Sequence, residues 1–221
     1  MKRAGLLRFW DSSVGKKIVM GATGLILVGF VVGHMAGNLQ FFAGADRFNA
    51  YSHLLQVDII EFTWLLRVVL LASAVLHVIA AYQLTMRNWA ARPDDYARRD
   101  PQVSTYASRT MRWGGVYLVL FIPYHLLHFT TGTLHPAFVR GQAYGNVVIG
   151  FQTAWVSLLY LVAMAFLALH LYHGTWAAFR TLGVARPSND PLHRRLALAI
   201  AVIVPVGFSL LPLSVMLGFV R

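Results

Sequence analysis

The sequence predicts an all-α integral membrane protein, a bundle of five membrane-spanning helices. Hydrophobic residues make up 57% of the 221-residue chain and charged residues only 12%, against roughly 25% charge in soluble domains. The apolar residues fall into five runs long enough to cross a hydrocarbon core, which takes about 20 helical residues. The 19 Lys and Arg outnumber the 8 Asp and Glu and sit between the runs, as in the loops of membrane proteins. A small soluble enzyme, a disordered chain and a collagen-like chain are thereby excluded. A net charge of +11 would suggest nucleic acid in a soluble protein. Interleaved with apolar runs it does not, and no nucleic-acid partner is expected.

The five runs cover residues 18–42, 62–86, 113–131, 151–179 and 196–220, within one membrane domain, 1–221. Each must be helical, because lipid offers no partner to an unpaired backbone group. The first is too long for a signal peptide, and no small-residue cleavage site follows it. In the second connection, residues 92–102, with Pro93, Asp94, Asp95, Arg98, Arg99, Asp100 and Pro101, read as a solvated linker. The third run holds Pro123, which loosens the backbone just before His125. The fourth is the longest and extends past the hydrocarbon. The fifth holds Pro205 and Pro212, tolerated kink points in a spanning helix. The connections are short, with no repeat and no separate soluble domain.

Orientation follows from the basic residues. The N-terminal tail, the second connection with its flanks and the fourth connection hold 15 Lys and Arg, and the opposite side 4. The positive-inside rule then places the N-terminus in the cytoplasm and the C-terminus outside. With no cysteine, the chain has no disulfide, thiolate zinc site or Cys-ligated iron–sulfur cluster.

Ionisable side chains inside a span are expensive and mark function. Six of the nine histidines fall within the runs: His34, His77, His125, His128, His170 and His173. His53, His135 and His193 lie in connections. Histidine on four separate helices fits the axial ligation of b-type haem, which bundles hold between facing helices. Two ligands per haem on four helices give two haems. His77 lies 10 residues from Arg87 and His170 10 from Arg180, each about 15 Å deep. His34 lies 17 residues from Lys17 and His125 13 from Arg112, about 26 and 20 Å. This gives an inner pair, His77 with His170, and an outer pair, His34 with His125. His128, at about 24 Å, fits His34 slightly better by depth, but it shares a face with His125 and depth alone does not choose between them. The same measure favours His170 over His173. A haem-free proton relay or transporter is the competing class. A zinc site is disfavoured, because the histidines are far apart in sequence and zinc ligands cluster at short spacings.

Longer motifs carry a family likeness. His34-Met-Ala-Gly-Asn38-Leu is followed by Phe41, Phe42, Gly44, Phe48, Asn49 and Tyr51. Ser108-Arg-Thr-Met-Arg112-Trp113-Gly114 opens the third run. The fourth reads His170-Leu-Tyr-His-Gly174 and ends near Gly183. Across nearly its whole length the chain resembles the di-haem cytochrome b membrane anchor of succinate dehydrogenase and fumarate reductase, the succinate:quinone oxidoreductases. The resemblance selects His125 over His128 and His170 over His173 as ligands. It implies two haem b groups, a quinone substrate (menaquinone), a flavoprotein partner and an iron–sulfur partner. It also implies residence in the bacterial cytoplasmic membrane. The chemistry of the partners is not in this chain, which has no dinucleotide fingerprint and no cluster-binding Cys. The nearest alternative is the b-type subunit of another quinone-linked respiratory dehydrogenase. The basic inner face suits soluble partners and anionic lipid alike.

Secondary candidates follow from this reading. Haem propionates need donors at the membrane edge, and Lys17, Arg109, Arg112, Trp113 and Arg180 lie near the inner end. Glu61 and Asp58, with Arg67 nearby, are candidates for proton exchange with a quinone at the outer side. Some relatives carry a Glu just before the fourth-helix ligand, where this chain has Ala168 and Leu169. Gly29, Gly33 and Gly37 form a stripe that admits either a helix or a porphyrin. Asn38, one turn past His34, is a candidate hydrogen-bond partner in the outer site.

Overall fold

The computed structural model describes residues 5–91 and 106–220. Lys2, Arg3, Arg221 and the linker expected at 92–102, with Arg92, Arg98 and Arg99, lie outside the described residues. The elements are α1 (Gly5–Asp11), α2 (Ser13–Leu39) with a 3-10 turn (Gln40–Ala43), α3 (Ala45–His53), a π turn (Leu54–Asp58) and α4 (Ile60–Ala90). Then come α5 (Tyr106–His125) with a π turn (Leu126–Thr130), α6 (Ala143–Gln152), α7 (Ala154–Thr181) and α8 (Asp190–Met216). Among the described residues the protein is all α.

Four helices are long and apolar enough to cross a membrane: α2 with its 3-10 turn (31 residues), α4 (31), α7 (28) and α8 (27). At 1.5 Å per residue even the shortest is about 40 Å long, more than the hydrocarbon thickness. The chain thus has the helices of a multi-pass membrane protein. Of the five expected spans, the third is not among these four. α5 has 20 residues, its first two turns carry Arg109 and Arg112, and its apolar stretch runs on into the π turn.

One further expectation is corrected. The fourth run is not the longest helix, because 151–179 counts the end of α6. Thr153 breaks the run with extended backbone (φ −80°, ψ 107°). Ser157 stitches that break by donating from its hydroxyl to the Phe151 carbonyl at 2.7 Å. The first and third connections hold short helices of their own, α3 and α6.

Local sequence explains the starts and stops. Ser12 caps α2, accepting from the Gly15 amide at 2.8 Å. A Cβ on Gly15 would fall 1.9 Å from the Phe9 carbonyl oxygen, so only glycine lets α1 fold back on α2. Asp190 and Pro191 open α8, an acid and a proline in the first turn. Pro123 removes a backbone donor from α5, which widens into the π turn three residues later. α8 runs through Pro205 and Pro212 without interruption.

α7 is central and packs against α2, α5 and α8. α2 packs against α4 and α8 as well, and α1 lies on its start. Small residues make these contacts: Ala163, Ala178, Ala197, Ala201 and Ser157 are buried, as membrane helices require for close approach. Large apolar residues such as Leu65, Leu71, Leu120, Leu198 and Ile203 face outward. That inversion of the soluble pattern suits lipid.

Candidate functional site

Four helices each contribute one histidine to two ring pairs. His34 of α2 meets His125 of α5, with ring centroids 5.9 Å apart and planes at 74°. His77 of α4 meets His170 of α7 at 6.2 Å and 60°. Neither helix pair is closely packed: α4 leans on α2 rather than α7, and α5 on α7 rather than α2. The imidazoles therefore reach toward each other across the seams between helices.

Tautomers follow from the partners. His77 Nδ1 faces the Met20 carbonyl oxygen at 3.0 Å, and a carbonyl only accepts. Nδ1 therefore carries the proton, and the lone pair of the neutral ring is on Nε2. Thr23 adds a second oxygen at 3.4 Å, its own proton going to the Val19 carbonyl at 2.7 Å. Gly24 lies against this ring, where a Cβ would meet His77 Cε1 at 3.1 Å. His170 Nδ1 is buried without a protein partner.

The other pair sits among aromatic rings. Phe30 stacks on His34 at 5.3 Å and Phe208 tilts against it at 5.4 Å. Phe121 stacks on His125 at 5.9 Å. Phe30 and Phe121 each precede their histidine by one helical turn, the register at which helical side chains meet. His125 Nδ1 lies 3.2 Å from the Tyr160 hydroxyl.

The remaining histidines are placed otherwise. His128 is fully buried and stacks on His135 at 5.1 Å. His135 has both nitrogens engaged, Nε2 donating to the Asn146 carbonyl at 2.8 Å and Nδ1 accepting from the Ala137 amide at 3.1 Å. His53 Nδ1 meets Asp58 at the surface, and His193 donates to the Asn189 carbonyl. His173 is partly buried. No three His, Asp or Glu side chains converge on a metal position among the described residues.

The basic side chains gather at the end of the bundle formed by the starts of α2, α5 and α8 and the ends of α4 and α7. Arg112 lies over the Trp89 ring at 5.4 Å, and Arg180 over Trp176 at 5.1 Å. Lys17 and Arg109 are exposed, and Trp113 is 76% exposed. Lys16 is buried instead, with its ammonium on the Trp10 carbonyl and 4.6 Å from that ring. At the opposite end Glu61 is exposed in the first turn of α4, and Arg67 lies over Trp64 at 4.9 Å. Asp58 lies 3.4 Å from His53 Nδ1 at the surface. A Cβ on Gly29 or Gly33 would meet nothing within 4 Å, whereas one on Gly37 would strike Tyr51. The stripe is thus a packing contact only at its last member. Asn38 is partly buried.

Sequence reasoning missed Tyr160, Thr23 and the Met20 carbonyl. A backbone acceptor leaves no mark in a sequence, and Tyr160 lies ten residues from the nearest of the histidines on its own helix. The two ring separations, 5.9 and 6.2 Å, are of the size that two imidazoles sharing one metal ion would take. Two metal–nitrogen bonds of about 2 Å plus the radii of the imidazoles put the centroids of two axial rings roughly 6 Å apart. No family model matches the chain, and no curated protein and no solved structure matches it.

Proposed function

We propose that this chain is the di-haem cytochrome b anchor of a succinate:quinone oxidoreductase. The observation that carries the haem reading is the meeting of four histidines from four helices in two pairs at 5.9 and 6.2 Å. His34 and His125 hold the outer haem, and His77 and His170 the inner one. α5 with its π turn is the fifth span, and the basic end faces the bacterial cytoplasm. Haem held by two histidines supplies one-electron exchange between ferric and ferrous iron.

The chain's own residues do the rest. The Met20 carbonyl orients His77, and Tyr160 meets His125. Phe30, Phe121 and Phe208 exclude water from the outer pair. Arg109, Arg112 and Arg180 offer donors to propionates at the basic end. Glu61 is the candidate for proton exchange with a quinone, menaquinone by the resemblance. Without cysteine or a dinucleotide fingerprint, the chain depends on a flavoprotein and an iron–sulfur subunit for succinate chemistry. The motifs around His34 and His170 favour this complex over another quinone-linked dehydrogenase.

The test is a visible spectrum and haem count of the protein purified from iron-replete cells, with its co-purifying subunits. Two haems, a flavoprotein and an iron–sulfur protein are expected. An intact colourless preparation supports the transporter class and would falsify the haem reading. Two haems with a different soluble partner keep the cytochrome and replace the complex.

A further inference from the structure

We infer that Tyr160 is a positioning residue of the outer site: its hydroxyl accepts from His125 and donates to His128, fixing opposite tautomers in the two rings. The inference rests on the haem reading above.

The Tyr160 oxygen lies 3.2 Å from His125 Nδ1 and 3.1 Å from His128 Nδ1. A hydroxyl has one proton to give and lone pairs to receive with. Among the described residues these two nitrogens are its only hydrogen-bond partners, so its proton is used only if one of them is unprotonated, the other then donating to the oxygen. His125 is the ring that meets His34. To ligate through Nε2 a neutral imidazole must carry its proton on Nδ1. His125 Nδ1–H then donates to Tyr160, and the tyrosine proton goes to His128 Nδ1. His128 is left with its proton on Nε2, so neither of its nitrogens has a lone pair free for iron. Its Nε2 is buried without a protein partner, and the residue is 0% exposed.

The surroundings of His128 agree. Its ring stacks on His135 with planes at 26°, and that ring is fixed by Asn146 and Ala137. The turn from His125 to His128 crosses the start of the π turn at Leu126, and both Nδ1 atoms still meet one hydroxyl. Depth in the membrane does not separate the two histidines, whereas one phenol oxygen assigns them different work. Tyr160 itself is buried, 7% exposed.

A hydrogen bond from the outer nitrogen of a ligating imidazole raises its basicity, which favours ferric iron. Its loss raises the midpoint potential, a tenfold change in ferric preference being about 59 mV for one electron. The test is Tyr160→Phe in the intact purified complex, read by optical redox titration and haem count. The haem that His125→Ala removes is expected to rise in potential by up to about 59 mV or to be lost alone, while the other keeps its potential. His128→Phe is expected to keep both haems and to raise the same potential by less. If Tyr160→Phe loses both haems, the His128→Phe result decides. Unchanged potentials, equal shifts of both haems, or loss of a haem in His128→Phe overturn the inference. Absence of haem from the wild-type protein overturns the haem reading instead.

Discussion

The two histidine pairs are built by different means. His77 is held by backbone: the Met20 carbonyl takes its proton, and Gly24 gives it room. Regular α-helix surrounds it in the middle of α2, α4 and α7. His125 is held by a side chain, Tyr160, within a cluster of aromatic rings. Its half of the molecule departs from regular helix repeatedly, in the 3-10 turn after α2, the π turns before α4 and after α5, and the break at Thr153. A site tied to backbone resists substitution of its supports, because no side chain carries them. A site tied to side chains is open to tuning and to damage.

The largest expected effect tests whether the pairs are separate sites. Under the proposed ligation, His77→Ala or His170→Ala is expected to remove one haem and to leave the other with its spectrum and potential intact. His34→Ala or His125→Ala does the reverse. Each variant should lose half the haem, measured against protein. Retention of both haems in all four variants breaks the ligand assignment, and loss of both in each breaks the idea of two sites.

The next effect sharpens the backbone side of the comparison. An alanine Cβ at position 24 lies 3.1 Å from His77 Cε1 and 3.4 Å from Nδ1, tighter than ordinary contact. Gly24→Val adds two methyl groups beyond it and pushes the ring from its carbonyl. Overpacking of this kind costs about 1–3 kcal/mol. The inner haem should become easier to extract by about tenfold, the lower end of what a disturbed supporting shell costs, with the outer haem unaffected. Equal lability of the two haems would show that Gly24 serves helix packing alone.

Much of this was legible in the residues before any fold. Long apolar runs marked the helices, and the distances of His34, His77, His125 and His170 from basic residues gave two levels. The structure brings the same four rings together two by two. What stayed hidden has physical reasons. The break at Thr153 lies inside one unbroken apolar run, since Phe151, Val156 and Tyr160 are needed by the core on either side of it. α5 is not among the four long apolar helices, because Arg109 and Arg112 lie in its first two turns and its apolar stretch continues into the π turn. Tyr160, whose hydroxyl meets both His125 and His128, is distant from them in sequence and unmarked by any motif.

A smaller effect tests the irregular half. Ser157 is fully buried, and its hydroxyl satisfies the Phe151 carbonyl that the Thr153 break leaves without a helical partner. Ser157→Ala leaves that oxygen unpaired, at about 1 kcal/mol. Thermal release of haem should begin with the outer one, since α6 and the head of α7 pack beside Phe129 and Tyr160. Release of the inner haem first would place the weaker region at the regular end.

The smallest effect is expected at Thr23. Its hydroxyl proton is spent on the Val19 carbonyl at 2.7 Å, and its oxygen is 3.4 Å from His77 Nδ1, against 3.0 Å for Met20. A hydrogen bond weakens steeply with distance, so the backbone carbonyl dominates. Thr23→Val, which keeps the shape and removes the oxygen, should leave the potential of the inner haem and its retention unchanged. Tyr160→Phe removes one oxygen from the outer pair and is expected to move its potential by up to about 59 mV. The contrast between these two one-oxygen deletions is the sharpest form of the comparison. If Thr23→Val shifts the inner potential as far as Tyr160→Phe shifts the outer, His77 leans on a side chain after all, and the two sites are supported alike.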